Sequence, residues 1–201
     1  MAVSYAFESK AADAARFYEQ VFNDRTAAAN FNGAAATANA MARTYLESGD
    51  IPNAEKWYRT GYDTAKKIKD LTPAQSELWE MRWLHAQARI ASRRGDAAGA
   101  RAHAAAIKAL LDKGANEAER PQYQYLLGYI ALDAGDFDTA IAELQKGNLD
   151  DSFVVGLLAR AYEKKGDSAK AAEYHNKALA SPAHSLNTAF SRQWAMKYFK
   201  K

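Results

Sequence analysis

An all-α fold built of repeated helical hairpins is what this sequence predicts, on three observations. Composition is the first: 48% of the 201 residues are apolar, prolines number four, alanine is abundant, and valine and isoleucine are sparse. The chain therefore has the mass for a core and the residues that helices prefer. Second, a Gly-Asp pair with an alanine four residues after the aspartate occurs four times, at Gly49-Asp50…Ala54, Gly95-Asp96…Ala100, Gly135-Asp136…Ala140 and Gly166-Asp167…Ala171. Third, a small residue stands seven positions before each of these glycines (Ala42, Ala88, Gly128, Ala159), and Tyr45, Ala91, Ala131 and Tyr162 stand four before. Glycine just past a helix end takes the left-handed conformation that other residues resist, and aspartate next to it caps the following helix. Gly-Asp thus ends one helix and begins another, and small residues on both arms let the arms approach closely.

Taken in order, residues 10–22 read as an amphipathic helix. It is the second arm of a partial hairpin (10–23) whose first arm is missing or degenerate. Residues 24–48 read as a long alanine-rich helix interrupted near Gly33. With 51–69, which carries Trp57 and Tyr58 on its packing side, it forms a hairpin over 24–69. Thr72-Pro73 opens the next hairpin (73–113), with threonine as cap, proline at the first helical position and Gln75 at the capping-box position. Trp79, Trp83, Ala86 and Ile90 mark one apolar face there, and the second arm, 97–113, ends at Gly114. The stretch KGANEAERP (113–121) reads as a loop and hinge, though not a domain boundary, because the Gly-Asp pattern resumes at once. Hairpins over 118–148 and 151–180 follow. Ser181-Pro182 then punctuates the chain, and a helix over 185–200 carries Leu186, Phe190, Trp194 and Tyr198 in one stripe. That stripe fits a capping helix, which repeat stacks require; the alternative is that it docks a partner or a second copy. A single domain spans 1–201.

These units resemble the tetratricopeptide repeat, a 34-residue helix-turn-helix unit that stacks into a superhelix. The resemblance is carried by YLLGYIALDAGDFDTAIAEL (125–144), by LLARAYEKKGDSAKAAEYHNKALASP (157–182), and by MARTYLESGDIPNAEKWY (41–58). In the second, Leu158, Ala159, Tyr162, Ala171, Ala178 and Pro182 fall at or within one residue of signature positions. QARIASRRGDAAGARAHA (87–104) departs most, with Gln87 where a large apolar residue is usual. Glycine spacings of 46, 40 and 31 also differ from a constant 34. The resemblance covers residues 35–182. It implies a right-handed superhelix and a non-catalytic module that binds a protein or peptide on its concave face.

The remaining features narrow the function by exclusion. A net charge of +3 calls for neither nucleic acid nor an anionic membrane. The locally basic RIASRRGDAAGAR reads as a solvated helix end. With no cysteine there is neither disulfide nor thiolate metal site, and a cytoplasmic or periplasmic setting fits equally. No apolar run approaches a membrane span, and MAVSYAFESK does not read as a signal peptide. His85, His103, His175 and His184 lie at no metal-ligand spacing, and no G-x-S-x-G elbow or phosphate-binding glycine loop occurs. Neither a cofactor nor a metal is expected, and an enzyme is the least favoured class.

By the resemblance, groove positions lie ten and six residues before each Gly-Asp glycine. They are Asn39 and Arg43, His85 and Arg89, Tyr125 and Tyr129, then Gly156 and Arg160, with Arg82 joining three residues before His85. Such a basic and aromatic lining suits an acidic segment, because arginine forks bind carboxylates and tyrosines give contact area at little entropic cost. The lysine-asparagine carboxylate clamp of chaperone-binding relatives is not reproduced. Two alternatives stay open: these residues are ordinary exposed polar groups, or the chain self-associates through the Trp194/Tyr198 helix.

Overall fold

A computed structural model describes residues 2–8 and 10–200, with the side chains of all but residues 5, 7 and 11. The described residues form eleven α-helices, a 3-10 turn at 117–119 and no strand. The helices are α1 (Ala2–Phe7), α2 (Ala11–Ala27), α3 (Phe31–Ser48), α4 (Ile51–Ala65), α5 (Pro73–Arg93), α6 (Ala97–Leu111), α7 (Arg120–Asp133), α8 (Phe137–Leu144), α9 (Ser152–Lys165), α10 (Ser168–Ala180) and α11 (Leu186–Tyr198). Helices α3/α4, α5/α6, α7/α8 and α9/α10 pair as hairpins, and each hairpin packs on the next.

Each hairpin turns at a Gly-Asp corner. Gly49, Gly95, Gly135 and Gly166 have φ of 89°, 77°, 81° and 89°, the left-handed region that a side chain disfavours. The following aspartate accepts from a backbone N–H three residues on: Asp50 from Asn53, Asp96 from Gly99, Asp136 from Thr139 and Asp167 from Lys170, at 2.8–3.2 Å. Its own N–H donates back to the carbonyl of Tyr45, Ala91, Ala131 or Tyr162 at 2.9–3.0 Å. The residues four before each glycine are therefore the acceptors that close a Schellman turn. The small residues sit where the arms cross: Ala42, Ala54, Ala88, Ala100, Ala140, Ala159 and Ala171 are all fully buried. Gly128 is the tightest crossing, since a Cβ there would lie 2.5 Å from Leu144 Cγ and 3.0 Å from its backbone nitrogen. Gly128→Ala is expected to cost about 1–3 kcal/mol through overpacking, measured by denaturant unfolding; a variant as stable as wild type would show that α8 can slide away freely.

The structure corrects the first full hairpin. Residues 24–48 are not one helix broken near Gly33: α2 continues to Ala27, and the break lies at 28–30. Ala29 takes φ 54°, and Asn30 then caps α3 by accepting from Gly33 N–H at 2.9 Å. Arg25 ties the two helices together, donating to Gly33 O at 2.9 Å and Thr37 Oγ1 at 2.6 Å. Ahead of α2, the six-residue α1 packs on it as a short first arm. Segment 113–121 also differs from a free hinge. Asn116 Nδ2 donates to Ala74 O and to Glu77 Oε1, both at 3.1 Å, and Lys113 pairs with Glu77 at 3.4 Å, which pins the loop to the start of α5.

The core is a chain of clusters handed from hairpin to hairpin. Met41, Leu46, Trp57 and Ile90 belong to one, Ile107, Leu111 and Leu126 to the next, and Leu144, Phe153, Leu157 and Phe190 to the third. A single hairpin would leave half of such a cluster in water, and isolated helices of this length are marginal. The α11 stripe turns inward. The Trp194 ring lies 4.9 Å from Phe153, and Tyr198 stacks on the fully buried His175 at 4.4 Å.

The ends of the stack meet. Helix α11 packs on α1 as well as on α9 and α10, and it touches α3. Gln193 Nε2 donates to the carbonyl of Ala6. Across the inner face, the Arg43 guanidinium of α3 lies 4.1 Å from the Phe153 ring of α9. The concave side is thus not an open trough: the inner helices draw together around a cavity.

Candidate functional site

Three inner helices build the site with rows of residues four apart, which share one helix face. Helix α3 supplies Asn39, Arg43 and Glu47, α5 supplies His85, Arg89 and Arg93 with Arg82 one step earlier, and α7 supplies Tyr125, Tyr129 and Asp133. Asn39, Arg43, Arg82, His85, Arg89 and Tyr125 line one cavity of about 530 Å³. Glu119, Gln122 and Asn187 also line it.

Arg89 is the deepest charge. It is 6% exposed. Nη2 donates to Tyr58 Oη at 2.6 Å and Nη1 to Tyr125 Oη at 3.4 Å, while the buried Nε has no hydrogen-bond partner. Burial works against its charge, but the phenol oxygens of Tyr58, Tyr125 and Tyr129 and the Glu47 carboxylate outweigh that, so the guanidinium stays ionised. Arg43 is half-buried over Phe153, and its Nε is likewise buried without a hydrogen bond. Arg82 is exposed and stacks 4.7 Å over the Trp79 ring. Burial also keeps the Tyr58 phenol protonated, with its pKa pushed up.

His85 packs 5.2 Å from the Tyr125 ring. Burial first, and then the Arg89 charge, hold its pKa well below the ordinary histidine value, so the ring is neutral. The unfolded chain accepts a proton near pH 6.5 that the folded chain refuses. Stability is therefore complete above that pH and falls as pH drops below it, by up to about 1.4 kcal/mol per pH unit. Thermal unfolding between pH 7 and 5 is expected to show this loss in wild type and a shallower one in His85→Phe. Equal slopes would assign the acid loss to another group.

Beneath the cavity lies a second layer. Arg93 Nη2 pairs with Glu47 Oε2 at 2.9 Å, its Nε donates to Tyr129 Oη at 2.5 Å, and Asp133 Oδ2 lies 3.8 Å away. Ser92 Oγ donates to Asp133 at 2.9 Å. The Glu47 side chain is 2% exposed. This layer ties α3, α5 and α7 together.

The geometry sorts the expected groove residues. Six line the cavity. Tyr129 is fully buried and forms part of its support, because its hydroxyl is taken up by Arg93. Arg160 points elsewhere, stacking 4.7 Å from the Trp194 ring, and Gly156 is sealed by α11, where a Cβ would meet Ser191 Cβ at 2.8 Å. Arg89, expected on an accessible groove wall, is buried because the stack curls inward there. Sequence reasoning missed Tyr58, which comes from a second arm, and it missed Glu47, Arg93 and Asp133. The last three were within reach: each is one further four-residue step along rows already marked by Arg43, Arg89 and Tyr129.

A second cavity of about 480 Å³ lies between α4, α5 and α6. Its lysines are matched by acids: Lys113 pairs with Glu77 and Lys66 with Asp63 at 3.2 Å. Among the described residues no group of three His, Cys, Asp or Glu side chains could hold a metal, and no helix is long and apolar enough to cross a membrane.

Residues 121–147 and 155–187 each match a family model for the tetratricopeptide repeat. The first span covers all but the first residue of α7 and all of α8; the second covers most of α9 and all of α10. No curated protein matches the chain.

Proposed function

Because this chain is a tetratricopeptide repeat protein, we propose that it is a non-catalytic interaction scaffold that takes an acidic segment of a partner protein at the mouth of the inner cavity. The observation that supports this reading is charge: Arg43, Arg82 and Arg89 line the cavity against one carboxylate, Glu119. Stacked helices hold these groups in place before the partner arrives, so little ordering entropy opposes binding. Arg82 meets the carboxylates of the segment, Asn39 supplies a polar contact, and Arg43 and Arg89 add field from below. Attraction of this kind speeds association and weakens with salt.

Peptide display on the intact chain tests it. Panning is expected to enrich acidic sequences, and Arg82→Glu is expected to weaken the selected peptides by about tenfold or more, equivalent to ~1.4 kcal/mol. Arg82 is exposed, so this reversal leaves folding within about ±0.5 kcal/mol. Enrichment without acidic bias, or equal affinity in Arg82→Glu, rejects the reading. Reversal at Arg89 is not a usable test, because a buried carboxylate there would face the phenols without its cation and unfold the site.

A further inference from the structure

The inner end of the cavity holds more positive charge than its own protein neutralises. Arg89 makes both of its hydrogen bonds to neutral tyrosine oxygens, and its Nε is buried without a partner. Arg43 meets an aromatic face, and its Nε is also buried and unbonded. Neither is ion-paired among the described residues. The nearest inward carboxylate, Glu47, is engaged by Arg93 at 2.9 Å. Buried cations are ordinarily paired, because leaving one without a counter-charge costs several kcal/mol. Tyr58 and Tyr125 each accept from Arg89 and retain their own O–H proton to give. Two guanidiniums and two phenols therefore line this end as donors, and neither guanidinium has a carboxylate paired with it among the described residues.

Part of the cavity wall is of the opposite character: Leu78, Met81, Ile107 and Leu186 line it beside polar groups such as Asn39 and Gln122. A volume of about 530 Å³ falls in the range of small-molecule sites, roughly 300–1,000 Å³. We propose that this cavity is a binding site for a free small organic carboxylate with an apolar body, its head group on Arg43, Arg89 and the Tyr58 hydroxyl. A bare phosphate would leave the apolar wall against water. An uncharged apolar molecule would leave the guanidiniums as they are. This function is separate from capture of a protein segment and does not depend on it: the segment meets Arg82 at the mouth, the small acid meets Arg89 at the floor.

The test is thermal unfolding and calorimetric titration of the intact chain at fixed ionic strength with hexanoate, 3-phenylpropionate, hexanamide and inorganic phosphate. Either carboxylate is expected to raise Tm in a saturable way, whereas hexanamide and phosphate do not. Arg43→Met and Tyr58→Phe are each expected to weaken the carboxylate by about tenfold or more. Tyr58→Phe keeps the ring in place, so the measurement survives if Arg43→Met fails to fold. Equal stabilisation by hexanamide, stabilisation by phosphate alone, no effect of either carboxylate, or carboxylate binding unchanged in both variants would each overturn the assignment. Peptide affinity measured in the same samples reports on the segment-binding reading separately.

Discussion

Arg93→Met is expected to destabilise the protein by about 3–5 kcal/mol, the cost of breaking a buried ion pair from one side. The Glu47 side chain is 2% exposed and has Arg93 as its ion-pair partner; methionine would leave it charged and dry. Tyr129 Oη, buried at 1% exposure, would lose its donor in the same step. Adding Glu47→Met on that background should return most of the loss, since replacing both partners by apolar groups removes the uncompensated charge. Denaturant unfolding of the two singles and the double gives the coupling directly. If the double is no more stable than Arg93→Met alone, the pair does not hold α3 to α5, and the helices are joined by apolar packing only.

The second large effect is at Phe153. The ring is 1% exposed and touches Tyr125 at 5.9 Å, Phe190 at 6.2 Å and Trp194 at 4.9 Å, with the Arg43 guanidinium 4.1 Å above it. It thereby joins α7, α9, α11 and α3, four helices that the chain order separates. Phe153→Ala is expected to cost about 3–5 kcal/mol, a Tm loss of roughly 6–20 °C for a chain of this size. Leu149→Ala, 46% exposed nearby, should stay within about 0.5 kcal/mol. A Phe153→Ala loss no larger than that of Leu149→Ala would mean that the inner aromatic cluster contributes little to closing the stack.

Both predictions concern the inner face, where sequence and structure agree least. Arg89 and Tyr129 were legible as inner-face residues from their offsets to Gly95 and Gly135, but their depth was not. A four-residue row says which way a side chain points along a helix; how near the opposite helix comes depends on the curvature of the whole stack. Likewise the break at 28–30 has no Gly-Asp pair. Alanine at position 29 accepts φ 54° because α2 packs against α3 and Arg25 bridges the turn, a cost that local sequence gives no reason to expect. The unit at 87–104, the weakest in pattern, makes the same corner as the others, since Gly95 and Asp96 alone carry the turn geometry.

Sequence alone determined the helices from α4 onward, the four corners and their order. Each corner is closed within nine residues, from Tyr45 O to Asp50 N–H and on to Asn53 N–H in the first case, so the free energy that selects it is written locally. Tertiary structure decided that the stack closes on itself, that Arg89 is enclosed by Tyr58 and Tyr125, and that Arg160 is turned away. Those outcomes rest on contacts such as Gln193 to Ala6 and Arg43 to Phe153, more than a hundred residues apart in the chain. Small rotations between successive hairpins add up before such contacts form, and no stretch of sequence encodes their sum.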